Sequence, residues 1–230
     1  MSKRKIRKEK REYVIGVDET NNGLRLKFSN PHYQDAVIVT GYLMRDPRRA
    51  NYGCCKHEGK GWAFGPTRRH QKSLEKGNEY LNSYPNFFYT LINRKMLNTG
   101  TPLGVLKAEA ITRITLKFLL MNPELNNKNI HVVTDEMDGK DHSRLIHNTL
   151  DMYFNRAGLR DVPHKYRSNG DNKVIAIRKA DTIGYCLAGI HLFSGSKRWP
   201  RATRKIPSNK LDELVEAYYR ETDGEYDPEQ

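Results

Sequence analysis

The sequence predicts an α/β fold: a mixed sheet of five or more strands with helices on both faces. Three observations carry this. Three short apolar or β-branched runs come early, at 13–17, 24–29 and 36–43. From residue 86 onward, strand-like and helix-like stretches alternate. Leading strands followed by interleaved helices and strands argue a sheet covered on its faces. With 230 residues, 37% of them hydrophobic, the chain has room for one large domain with insertions.

Residues 1–11 hold seven Lys or Arg against one Glu. Such a segment cannot pack a core, so 1–12 is expected to be a disordered basic arm. Tyr13 to Val17 reads as a buried strand ending at Asp18-Glu19. Asn21-Asn22-Gly23 reads as a hairpin turn, Leu24 to Ser29 as the second strand and Ala36 to Leu43 as the third. Residues of about 45–82 read as a basic insertion over the sheet, with a polar helix from Arg68 to Leu81. Asn86 to Asn93 is aromatic and β-branched, hence another strand. A helix is expected from Gly104 to Met121, with Ile111, Ile114, Phe118 and Met121 as its core stripe. Asn129 to Thr134 forms a strand ending at Asp135. Asp141 or Ser143 is expected to cap a helix to about Asn155, with Leu145, Ile146, Leu150 and Phe154 inward. Lys173 to Ile177 is a strand or a lead-in to a small-residue helix from Arg178 to Phe193. The core domain is thus 13–195. A segment at 196–230 follows it, with basic residues, an amphipathic helix from Lys210 to Arg220 and an acidic tail.

The formal net charge is +13. Leu211 to Gln230 holds eight acidic residues and one basic, a local −7 that leaves +20 on the rest. Such an excess favours a polyanionic partner. Arg68, Arg69, Lys72 and Lys76 recur at near-helical spacing in the insertion. Lys197, Arg198, Arg201, Arg204 and Lys205 flank Trp199. The basic groups are candidate phosphate contacts and Trp199 a candidate base-stacking platform. The acidic tail is a candidate mimic of nucleic acid that covers the site. No stretch reaches the roughly 18–20 apolar residues of a transmembrane helix. No apolar segment follows the basic N-terminus as in a secretory signal, so a cytoplasmic location is expected. Cys54, Cys55 and Cys186 make no disulfide framework. Cys54-Cys55-x-His57 offers half a zinc site without a second half at finger spacing.

The chemistry-bearing signal is where the carboxylates fall. Asp18 and Asp135 sit at carboxyl ends of strands, where open α/β sheets place their sites. Asp181 lies in an otherwise apolar or small segment, with Gly184, Tyr185 and Ala188 on its helical face. A carboxylate buried there needs a cation, hydrogen bonds or a raised pKa, although a place near the helix start would also stabilise it. Glu109 borders the core stripe of its helix and points to the sheet edge or to solvent. No G-x-S-x-G motif and no P-loop compete. Asp135, Glu136, Asp138 and Asp141 do not make a calcium loop, because position 147, nearest in register to the closing Glu, is His. His142 and His191 are candidate proton shuttles.

Taken together, these motifs resemble the ribonuclease H-like superfamily. Val14-Ile15-Gly16-Val17-Asp18-Glu19-Thr20 is similar to its opening strand, and the Asp-Glu pair resembles type-two ribonuclease H. Lys107-Ala108-Glu109-Ala110 matches the helical Glu, Val132-Val133-Thr134-Asp135 the fourth-strand Asp, and Lys179-Ala180-Asp181-Thr182-Ile183-Gly184 the late helical Asp. The opening Asp-Glu and late Ala-Asp helix also resemble an uncharacterised branch of the superfamily. The resemblance covers residues 13–193. It implies a ribonuclease H-like fold, and Asp18, Glu109, Asp135 and Asp181 as ligands of two Mg²⁺ or Mn²⁺ ions, with Glu19 as the other candidate glutamate. It implies hydrolysis of phosphodiester bonds in RNA or an RNA–DNA hybrid. A DNA-directed resolvase-like or transposase-like enzyme and a non-catalytic nucleic-acid-binding protein are the alternatives. Thr20-Asn21-Asn22-Gly23 departs from the glycine-rich turn of type-two ribonuclease H, so substrate identity does not carry over.

Overall fold

In a computed structural model of the chain, the described residues are 12–20, 36–45, 62, 64, 68–93, 96, 99–136, 140–194 and 198–222; at 69, 140, 141, 171 and 172 this extends to the backbone alone. The arm, the turn at 21–23, the strand expected at 24–29, Cys54, Cys55, His57, Lys197 and the end of the acidic tail lie outside them.

Six strands form one sheet in the order β5-β4-β1-β2-β3-β6. β1 (Tyr13–Thr20) is central and buried from Tyr13 to Asp18. Its antiparallel partner is β2 (Ala36–Arg45), with Thr20 opposite Ile38. On its other side runs β4 (Ile130–Asp135), parallel, with Val17 opposite Thr134. β3 (Phe87–Asn93) pairs antiparallel with β2. Two short parallel strands close the edges: β5 (His164–Arg167) on β4 and β6 (Lys205–Ile206) on β3. The three antiparallel strands and the parallel pairs that follow are the arrangement the resemblance implied, and the fold is ribonuclease H-like.

Both sheet faces are covered. On one face lie α2 (Leu103–Met121), α3 (Lys140–Arg156) and α6 (Leu211–Glu221). Their apolar residues share a core with Ile15 and Val17 of β1. On the other face lie α1 (Gln71–Ser83), the single turn α4 (Gly170–Lys173) and α5 (Ile175–Phe193). Val14 packs there against Ala176 and Ile177. Successive strand residues point to opposite faces, so Ile15 and Val17 serve the first core and Val14, Gly16 and Asp18 face α5. Two covered faces explain why β1 reads as a continuous apolar run. Full burial of a side chain such as Ile111 or Phe118 contributes about 1.5–3 kcal/mol.

Four sequence expectations change. Met121 is 54% exposed and Leu145 is 48% exposed, so neither belongs to the stripe assigned to it. α3 begins at Lys140, which puts Asp141 and Ser143 inside the helix rather than at its cap. Lys173 closes α4 and Val174 is extended, so 173–177 is not a strand and α5 starts at Ile175. The strand there is β5, whose polar sequence HKYR gave no apolar signal.

Candidate carboxylate centre

Gly16 sets the geometry. A Cβ on it would lie 2.2 Å from the Ala176 carbonyl carbon and 2.4 Å from the Ile177 nitrogen. Only glycine lets the start of α5 lie this close to β1. One and a half turns on, Asp181 comes over the end of β1. Gly184 lies against the side chains of Thr20 and Thr40, the close approach its small size allowed.

Asp18 is 9% exposed and faces α5. Burial pushes its carboxyl well above the ordinary 3.8, and the charges of Asp181, Glu19 and Asp135, in that order, push it further. One hydrogen bond opposes this: the Glu19 amide donates to Asp18 Oδ1 at 2.7 Å. Asp135, at the end of the neighbouring strand, accepts from the Glu136 amide and the Gly170 amide, both at 2.7 Å on Oδ1. Carboxylates from β4 and α5 thus both act on Asp18 of β1, with Glu19 beside it. Glu19 turns to the other face, where Lys107 Nζ, fully buried, donates to its Oε1 at 2.9 Å.

Glu109 stands elsewhere. It lies on α2, across the sheet from α5. Its carboxylate accepts from Arg113 one turn on, and Arg113 also donates to the Ser208 carbonyl. Burial raises the Glu109 carboxyl, Arg113 lowers it and Asp212 raises it. Burial lowers the Arg113 guanidinium, which Glu109 offsets. Glu109 is absent from the charges that act on Asp18. Of the two candidate glutamates, Glu19 is the one among the charges that act on Asp18. Helical spacing could not show this, because α2 is buried nearly all round.

His142, Trp199 and His191 also stand apart from Asp18. A Cβ on Gly104 of α2 would lie 3.4 Å from His142 Nε2, which places this side chain on the α2–α3 face. His191 is ten residues beyond Asp181 on α5, about 15 Å along the axis. Its ring stacks on Trp199 at 3.9 Å between centroids. Trp199 also meets Tyr89, so the half-buried indole expected to stack on a base packs against these two rings. Arg201 donates to Asn82, and Arg204 lies over Phe88 at 5.5 Å. Arg68 and Lys72 are exposed and Arg198 is exposed, while the Arg69 side chain lies outside the description. Cys186 is buried, which pushes its thiol up to about 12.

Sequence reasoning missed Gly170. Its amide holds Asp135, and a Cβ on it would lie 3.1 Å from Asp135 Oδ1 and 3.4 Å from Arg167 Cβ. Asn169-Gly170 was the available signal, a turn dipeptide, and Asn169 is left-handed at φ 51°.

Hard carboxylate oxygens suit Mg²⁺ or Mn²⁺. A buried Asp18 whose neighbours are also acidic is a setting that a divalent cation would relieve. Among the described residues, no three His, Cys, Asp or Glu stand at ligating distance from one point. The carboxylates are thus near enough for their charges to act on Asp18 but do not close into a ligating group. No described helix is long and apolar enough to cross a membrane.

The strand order is that of a ribonuclease H-like fold. No protein-family model matches the chain, and no curated protein does. Solved structures similar to it include a point mutant of Bst-RNase HIII, at 14% identity and TM-score 0.46, covering 80% of this chain and 53% of that one. The chain thus spans about half the length of that protein. The ribonuclease H2 from Pyrococcus horikoshii OT3 is similar at 16% identity and TM-score 0.45, covering 93% of this chain and 90% of that one. A chain of the PCNA:RNase HII complex from Archaeoglobus fulgidus is similar at 12% identity and TM-score 0.39, with 94% and 80% covered.

Proposed function

We propose that this protein is a divalent-metal-dependent nuclease that hydrolyses phosphodiester bonds in RNA or an RNA–DNA hybrid. The observation that carries the reading is the setting of Asp18. It is buried, and Asp181, Glu19 and Asp135 are the charges that raise its carboxyl. Such a group is unfavourable by itself and suited to binding cations. In this reading Asp18, Asp135 and Asp181 hold Mg²⁺ or Mn²⁺, and Glu19 rather than Glu109 completes the set. When bound, two such ions about 4 Å apart supply charge for a scissile phosphate and lower the pKa of water.

The chain's own groups do the positioning. The Glu19 and Gly170 amides orient Asp18 and Asp135 through one oxygen each. Lys107 holds Glu19 by an ion pair at 2.9 Å. The +13 charge draws the polyanion to the protein.

The test is cleavage of labelled single-stranded RNA, duplex RNA, RNA–DNA hybrid and DNA with Mg²⁺ or Mn²⁺. Wild type is expected to cut a ribose-containing substrate, and Asp18→Asn and Asp181→Asn are expected not to. Cutting of DNA alone would redirect the assignment to a DNA enzyme. Tight, salt-sensitive binding without cutting would make the protein a non-catalytic binder.

A further inference from the structure

We infer that the edge strand β5 is a phosphate-binding stripe, in which Arg167 and Lys165 hold the nucleic-acid backbone beside the carboxylates. The inference rests on the nuclease reading and names where its substrate lies. Arg167 pairs with Asp135 in the parallel register. Paired residues share a sheet face, so Arg167 projects on the side of Asp135, Asp18 and Asp181. Gly170 confirms the placement, since its Cβ position contacts both Asp135 Oδ1 and Arg167 Cβ.

Strand alternation adds Lys165 to the same face. Lys165 and Arg167 are exposed, while His164 and Tyr166 turn towards His147 of α3. The two cations are about 7 Å apart along the strand, near the step between adjacent phosphates. They influence each other: burial first, then the Arg167 charge, lowers the Lys165 ammonium. Among the described residues, neither forms an ion pair. Two like charges held side by side are unfavourable alone and favourable against phosphates.

At the sheet edge a groove of about 550 Å³ adjoins the stripe, lined by Lys165 and Arg160 and, from the α3 side, by His147, Asp151, His164 and Tyr166. Arg160 is a further exposed cation there. A strand whose scissile phosphate lies at Asp18 would leave the carboxylates over Arg167, pass Lys165 and reach this groove. These contacts are to phosphate, so they add affinity and register rather than sequence preference.

The experiment is fluorescence anisotropy with labelled RNA–DNA hybrid and duplex RNA in EDTA, across about 50 to 200 mM salt. Arg167→Ala and Lys165→Ala are each expected to weaken binding several-fold on every probe sequence. Each is expected to flatten the salt slope by about 0.9, the loss of one phosphate contact. Arg167→Lys should restore the slope. Lys128→Ala, at the opposite end of β4, should leave it unchanged. Thermal melting of each variant at the wild-type temperature separates contact loss from misfolding; if an alanine variant melts lower, the Arg167→Gln and Lys165→Gln forms carry the comparison. Wild-type slope and affinity in both variants would overturn the stripe while leaving the nuclease intact. An equal change in Lys128→Ala would also overturn it, as general surface charge. Failure of wild type to bind any probe would sink the nuclease reading together with the stripe.

Discussion

The Gly170 amide donates to Asp135 Oδ1 at 2.7 Å, and a methyl group on Gly170 would stand 3.1 Å from that oxygen and 2.7 Å from Ile177 Cδ1. A single backbone position thus anchors one carboxylate and touches the helix that carries another. Gly170→Ala should cost about 1–3 kcal/mol by overpacking. Its kcat should fall by about a factor of ten or more, because a carboxylate moved by an ångström loses its geometry. Urea denaturation and cleavage kinetics measure the two effects separately.

Gly16→Ala should be more severe for stability. Its Cβ would meet backbone of α5 at 2.2 Å, and backbone cannot turn aside as a side-chain tip can. We expect a loss of about 3 kcal/mol or more, read from urea denaturation, or a failure to accumulate folded protein.

The carboxylates should make the metal-free protein less stable as pH rises. The folded pKa of Asp18 lies above its ordinary 3.8. Between those two values the native state holds more protons than the unfolded state, so stability falls with increasing pH across that window. Asp18→Asn should therefore melt higher than wild type at pH 7 in EDTA. A gain of about 1 kcal/mol corresponds to about 2–4 °C in a chain of this size. Mg²⁺ should raise the melting temperature of wild type and change that of Asp18→Asn little.

A second pH effect should come from a histidine pair away from the carboxylates. His147 Nδ1 and His164 Nδ1 share a hydrogen bond at 2.8 Å, and His164 Nε2 bonds Asp151 at 2.8 Å. Burial, then the neighbouring His164, pushes His147 from 6.5 to about 4. Its folded pKa is depressed, so the unfolded state binds more protons within that window. This contribution to stability is complete above pH 6.5 and is lost as pH falls towards 4. His147→Gln should flatten the pH dependence of the melting temperature there; an unchanged slope would refute the linkage.

Glu19 and Glu109 should separate cleanly. Glu19→Gln is expected to abolish cleavage, and Glu109→Gln to spare it. Glu109→Gln should instead destabilise the fold by about 2 kcal/mol, because it withdraws the charge facing the buried Arg113. Cleavage at equal protein stability, with denaturation as the second readout, distinguishes the roles.

The legible parts of this molecule were those with a one-dimensional signal. β1 and β4 are apolar runs closed by Asp18 and Asp135, and the burial of the strands made both visible. Asp181 was visible as a lone carboxylate in an apolar, small-residue segment. The place of Glu109 was not, because α2 and α5 are buried around most of their circumference, so periodicity does not tell which sheet face each covers. β5 was missed because a four-residue edge strand can satisfy its pairing while its side chains stay polar. Trp199 looked like an exposed aromatic among cations, yet chain reversal brings His191 and Tyr89 against it.

The most direct test of the central claim is Mn²⁺ titration of the metal-free protein by calorimetry, with wild type, Asp18→Asn, Glu19→Gln and Glu109→Gln. The carboxylate account predicts Mn²⁺ binding by wild type and Glu109→Gln alike, and affinity at least about tenfold weaker in Asp18→Asn and Glu19→Gln. Wild-type affinity in Asp18→Asn, or loss confined to Glu109→Gln, would contradict it.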